Sequence, residues 1–156
     1  MKTIIIGDKE YNLEFTFAAA EHKELVQSMF NIMSGAYIVK NGASVEENDS
    51  TGAATAMING TSEMVADIPR ICRVAFYAGM IENNPVGEDE AKELMKQYMK
   101  ENKLSFYRLF EDLKKYMEED GFFDLSGLTE TLEKMSDAAE EQVKKIQKGK
   151  KSTSTK

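Results

Sequence analysis

Tryptophan is absent from the 156 residues, and there are only one cysteine, one histidine and two prolines. The lone Cys72 excludes an intramolecular disulfide and a cysteine-based zinc cage. The lone His22 excludes any site that needs two imidazoles. Most hydrolase and metalloenzyme schemes therefore lose a required member. Apolar runs such as Ile4–Ile6 and Val74–Ala78 fall far short of the roughly 20 residues that cross a bilayer. Three isoleucines between Met1-Lys2-Thr3 and Gly7-Asp8 make too short a core for a signal peptide, so a cytosolic location is expected. The formal net charge of −7 disfavours nucleic acid as a partner.

What is present suits one globular domain: 42% apolar and 30% charged residues, with eight phenylalanines and six tyrosines. The charge is uneven. Lys144, Lys145, Lys148, Lys150, Lys151 and Lys156 share residues 144–156 with no acid, so a basic tail follows an acidic body. Tyr11, Leu13, Phe15 and Phe17 alternate with polar residues, the period of two that buries one strand face. With Thr3–Ile6 as a first strand and Gly7–Glu10 as the turn, residues 3–17 are predicted to form a β-hairpin. An isolated hairpin is marginal in water, so it must lie on the helices that follow.

Thr16 is placed to cap the next element, and Leu25, Met29 and Met33 recur at helical spacing to about Gly35. The polar stretch near 40–53 has no period and reads as a long mobile loop. Helical character resumes near Ala53 with Val65, Ile68, Cys72, Ala75, Phe76 and Met80. It ends at Asn83-Asn84 before Pro85, with a kink or a fresh start capped by Asp67 expected at Pro69. Residues 88–100 make a third helix. A fourth, capped by Ser105 and ended by Gly121, carries Leu109, Phe110, Leu113, Tyr116 and Met117. A last helix from Asp124 or Ser126 to about 148 bears a heptad-like seam: Leu125, Leu128, Leu132, Met135, Ala139, Val143 and Ile146. Residues 149–156 have nothing to bury and read as a disordered basic tail. The expected fold is α+β and mostly helical, a hairpin packed on a bundle of about five helices.

No residue set carries chemistry. His22 has no partner to orient it as a base, and reads as a surface residue. Cys72 lies between Arg70 and Arg73 but belongs to an apolar stripe, which favours packing over reactivity. The acidic runs Glu46–Asp49 and Glu118–Asp120 lack the alternating ligand spacing of a calcium loop. The expectation is no enzyme, no cofactor and no metal. Ten methionines suggest either an adaptable binding surface or a loosely specified core, the second being the simpler reading.

The stretch Ile5–Phe15 leads into a helical body, and Leu109–Phe123 precedes a charged C-terminal extension. In this layout, and in those two apolar motifs, residues 1–125 resemble the tail assembly chaperones of long-tailed bacteriophages and prophages of Gram-positive bacteria. The resemblance implies a non-enzymatic factor in the host bacterial cytoplasm, absent from the mature virion. It implies binding to the tape measure protein, a long apolar helical chain, and recruitment of tail tube protein. That recruitment would use a longer, frameshifted form, with which the Lys144–Lys151 run is compatible. Self-association remains open. The rival reading is a small phage connector or an acidic regulatory module. Partner contact is assigned to apolar side chains of the central helices: Met95, Met99, Phe106, Phe110, Leu113 and Met117. The expected organisation is a chaperone-like domain over 1–125, a heptad-like helix over 126–148, and the tail 149–156.

Overall fold

The structure, a computed structural model, describes residues 1–43, 45–46 and 49–152, with side chains as far as Lys145. Among the described residues, a two-stranded antiparallel hairpin is followed by eight helices. Strands β1 (Lys2–Ile6) and β2 (Lys9–Leu13) pair with Ile4 opposite Tyr11 and Ile6 opposite Lys9. The turn is tighter than the sequence suggests, because Gly7 takes a φ of +61° that a side chain would resist. Ile4, Ile6, Leu13 and Phe15 are buried, while Ile5 faces solvent. The alternation stops before Phe17, which is exposed because the chain has already turned into α1 (Phe17–Glu21).

Thr16 precedes α1 without donating or accepting a side-chain capping bond. The first helical stretch then breaks at His22, whose Nδ1 accepts from the Leu25 N–H and caps α2 (Lys23–Met33). Gly35, at φ +69°, turns the chain into α3 (Ala36–Gly42). Part of the expected 40–53 loop is therefore helical, at both of its ends. Helix α4 already begins at Ser50, where Asp49 accepts from the Gly52 N–H at 2.8 Å. Between them, Ser44, Glu47 and Asn48 lie outside the described residues.

Helix α4 (Ser50–Met80) is the axis of the molecule, 31 residues long and so about 46 Å from end to end. It passes through Pro69 unbroken, so neither the fresh start nor the Asp67 cap is found. The physical reason is its placement. Pro69 is exposed, so the carbonyl that loses its partner at Val65 lies toward water, while the Ile68, Ile71 and Cys72 side is packed. From Ile68 to Met80 the helix is buried almost all round, covered by the hairpin, α1, α2, α5 (Glu88–Glu101) and α6 (Phe106–Glu119). Asn84 lies beyond its end. There Asn84 Nδ2 donates to the Asn12 carbonyl at 2.8 Å, and the Asn12 N–H donates to its Oδ1 at 3.3 Å. This two-way amide bracket ties β2 to the end of α4.

Ser105 caps α6 as its sequence implies, accepting from the Arg108 N–H at 3.2 Å. Gly121 follows that helix at φ +72°. Gly127, at φ +75°, divides the expected last helix into α7 (Phe122–Leu125) and α8 (Leu128–Ser152). Leu125 is consequently exposed and outside the seam. The helical backbone of α8 also runs on through 149–152, four residues assigned above to the tail; residues 153–156 of that tail lie outside the described residues. Among the described residues, no helix is long and apolar enough to cross a membrane.

Candidate binding surface

Helix α6 presents Leu109, Phe110, Leu113 and Met117 to α4, and all four are buried. Met95 is buried on α5, and Met99 is half-buried against the same core. Only Phe106 is exposed, and its carbonyl accepts from Cys72 Sγ at 3.3 Å. The structure thus gives Met95, Phe110, Leu113 and Met117 to the core of the folded chain. An apolar stripe shows that a helix face is covered, but not by whom. Here α4 covers it. Met29, Met80, Met95 and Met117 fill the interior, whereas Met33, Met57 and Met135 face solvent.

Exposed apolar groups gather elsewhere, on an arm built from α3 and the first half of α4. In that half only Ala56 and Gly60 are buried, and the main core begins at Ile68. The two helices approach until the backbone of Ile38 touches Gly60, where a Cβ would stand 2.7 Å from Ile38 Cα. No larger residue fits that crossing. The arm carries Val39, 68% exposed, Met57, 60% exposed, and Ile58, 69% exposed. A groove of about 460 Å³ runs along it, lined mainly by Ile38, Val39, Val45, Ala53 and Ala56. A second apolar groove, about 440 Å³, lies between α2 and the start of α8, with Val26, Phe30 and Leu128 in its wall.

Polar chemistry fixes the base of the arm. Tyr37 Oη donates to Asp67 at 2.7 Å, and Arg70 donates to the same carboxylate from Nε and Nη2, each at 2.7 Å. Arg70 Nη1 reaches Glu24 on α2 at 2.6 Å. Three helices are pinned through one guanidinium. Arg70 holds the Asp67 carboxyl below its usual value, and burial beside that carboxylate pushes the Tyr37 hydroxyl up to about 12.

The remaining candidates have structural positions. Cys72 is fully buried, and burial pushes its thiol up to about 12, which removes thiolate reactivity at neutral pH. His22 is half-buried edge-on to Tyr77, with ring centroids 5.8 Å apart. Asp120, from the second acidic run, accepts from the Phe15 N–H at 2.9 Å and pairs with the N-terminal ammonium. Asp49, from the first run, caps α4; its neighbours Glu47 and Asn48 lie outside the described residues. Sequence reasoning missed the arm. The available signal was Gly35 and Gly42 flanking an apolar Tyr37-Ile38-Val39 stretch, with Gly60 inside the next helical segment. No protein-family model, curated protein or solved structure matches this chain.

Proposed function

We propose that this chain is a non-enzymatic assembly chaperone of the phage tail type. It binds the tape measure protein, keeps it soluble and helps to recruit tail tube protein. The observation that carries the reading is the apolar arm: Val39, Met57 and Ile58 stand out from the body beside an open groove. Such a surface on a folded chain marks a place where another polypeptide is covered. A long amphipathic helix aggregates unless its apolar stripe is shielded, and shielding must be reversible if tube subunits are to replace the chaperone. Apolar side chains supply the attraction, and the acidic body keeps the coated complex in solution. Many weak contacts along one tape measure add up without any one being irreversible.

Co-expression with tape measure fragments tests the proposal. The wild-type chain keeps the fragments soluble and co-elutes with them. The double variant Val39→Asp with Met57→Asp remains folded, since both side chains are exposed, and loses both effects. Fragments that stay insoluble with the wild-type chain overturn the proposal, as does full activity of the double variant.

A further inference from the structure

The arm joins the body by two crossings of the chain, and each passes through a weak point. The first is the turn from α2 into α3. Gly35 sits there at φ +69°, and a Cβ on it would meet nothing within 4 Å, so its dihedrals change without a clash. Beside it the Ser34 hydroxyl is buried with no hydrogen-bond partner among the described residues, a cost that this arrangement carries. The second crossing is α4 itself. Pro69 supplies no N–H to the Val65 carbonyl, which removes one rung of the helix between its exposed and its buried half. The two weak points lie side by side, because Tyr37, just after Gly35, donates to Asp67, just before Pro69. Space for movement is present as well. A cleft of about 310 Å³ separates Asn31 of α2 from Ala36, Tyr37, Lys40 and Glu63 of the arm.

We propose that the arm is hinged: α3 and the first half of α4 swing as one unit about an axis through Gly35 and Pro69, widening or closing the cleft against α2. The Asp67–Arg70 pair is the latch. Asp67 is bonded to the arm through Tyr37, and Arg70, just past Pro69, is bonded to the body through Glu24. The two bonds from Arg70 to Asp67 span the weakened turn between them. Water reaches this pair, with the Arg70 side chain 39% exposed, so the latch holds the arm without locking it. Hinges absorb dihedral change in a few residues while the packed units on either side stay rigid. Here one unit is held by the backbone contact at Gly60, and the other is the core that begins at Ile68. The inference concerns motion alone and holds whatever polypeptide the arm grips.

Distances between paired spin labels on the full chain test it. Ala54→Cys on the arm is paired with Glu111→Cys on α6, and the reference pair is Lys23→Cys with Glu111→Cys, both on the body; all three positions are exposed. Cys72 is buried and takes no label. The arm–body distance distribution is about twice as wide as the reference. Arg70→Met leaves the Tyr37–Asp67 bond in place, opens the latch and widens the distribution further. Pro69→Ala restores the missing helical bond and narrows it toward the reference. Exchange protection of Ala53–Gly60 is unchanged in Arg70→Met, because the arm moves as a unit. An arm–body distribution as narrow as the reference overturns the proposal, and so does a width indifferent to both variants. Loss of protection over Ala53–Gly60 means that the arm unfolds instead of swinging, and overturns it as well.

Discussion

The variant Gly60→Ala tests whether the arm is held by close approach of two backbones. The new Cβ would stand 2.7 Å from Ile38 Cα, 2.8 Å from Ile38 N and 2.8 Å from the Tyr37 carbonyl oxygen. All three are backbone atoms, so no rotamer change relieves the clash, and α3 must retreat. The deficit is about 0.7 Å against the 3.4 Å at which ordinary contact begins, enough to forfeit much of the packing attraction at the crossing. Overpacking of this kind costs about 1–3 kcal/mol, and the better helix propensity of alanine returns about 1 kcal/mol. The net loss, up to about 2 kcal/mol, falls on the docking of α3, whose seven residues cannot hold a helix alone. At the upper end of that range, hydrogen exchange read by mass spectrometry accelerates about thirtyfold over Ala36–Gly42. Over Ile71–Met80, inside the main core, it is unchanged. Unaltered or slower exchange in α3 refutes the reasoning, since an open helical glycine replaced by alanine is stabilising.

Gly79→Ala places a Cβ 2.7 Å from Phe15 Cζ, on a buried ring that also meets Phe122 edge-on. Urea unfolding shows a loss of about 1–3 kcal/mol, partly restored by adding Phe15→Leu; stabilisation contradicts the packing. Tyr37→Phe removes the 2.7 Å bond to Asp67 and weakens protection of α3 by about 1 kcal/mol. Because Arg70 depresses the Asp67 carboxyl, its contribution is fully present above the ordinary value of 3.8 and is lost as pH falls below it. Exchange of α3, measured down that range, loosens only there. Cys72 is the opposite case: a thiol raised from 9.0 to about 12 costs stability as pH climbs through that interval, because the unfolded chain ionises first. Alkaline denaturation of Cys72→Ala has a shallower slope between those values, and an identical slope rejects the assignment.

Elements whose signals are local could be read from the sequence. The hairpin shows its period of two, Ser105 and Gly121 mark the two ends of α6, and the acids at Glu88–Glu90 open α5. What sequence reasoning missed depends on distant partners. Pro69 reads as a break because its cost is local, while the packing of Ile68, Ile71 and Cys72 that offsets it comes from elements distant in sequence. Helix α3 has weak intrinsic propensity, with Tyr37, Ile38 and Val39 near its start, and exists because Gly60 lets it lie against α4. Gly127 was a visible stop signal that the continuous Leu125–Leu128–Leu132 spacing outweighed. Four of the expected contact residues turn inward for a related reason. Met95, Phe110, Leu113 and Met117 have the pattern of a contact face, and periodicity does not distinguish a neighbour in the same chain from a foreign one.

The junction at Phe15 has a consequence for synthesis on the ribosome. Its ring is sealed by Phe122, and its amide is held by Asp120, 105 residues further on. At about 5–20 residues per second, the nascent hairpin waits roughly 5–20 s for those groups to emerge. Until α4 and α5 emerge its isoleucines and Phe15 are bare, and Phe15 keeps one open side until Phe122 follows. A protein proposed to guard another's apolar surface therefore begins life needing the same protection.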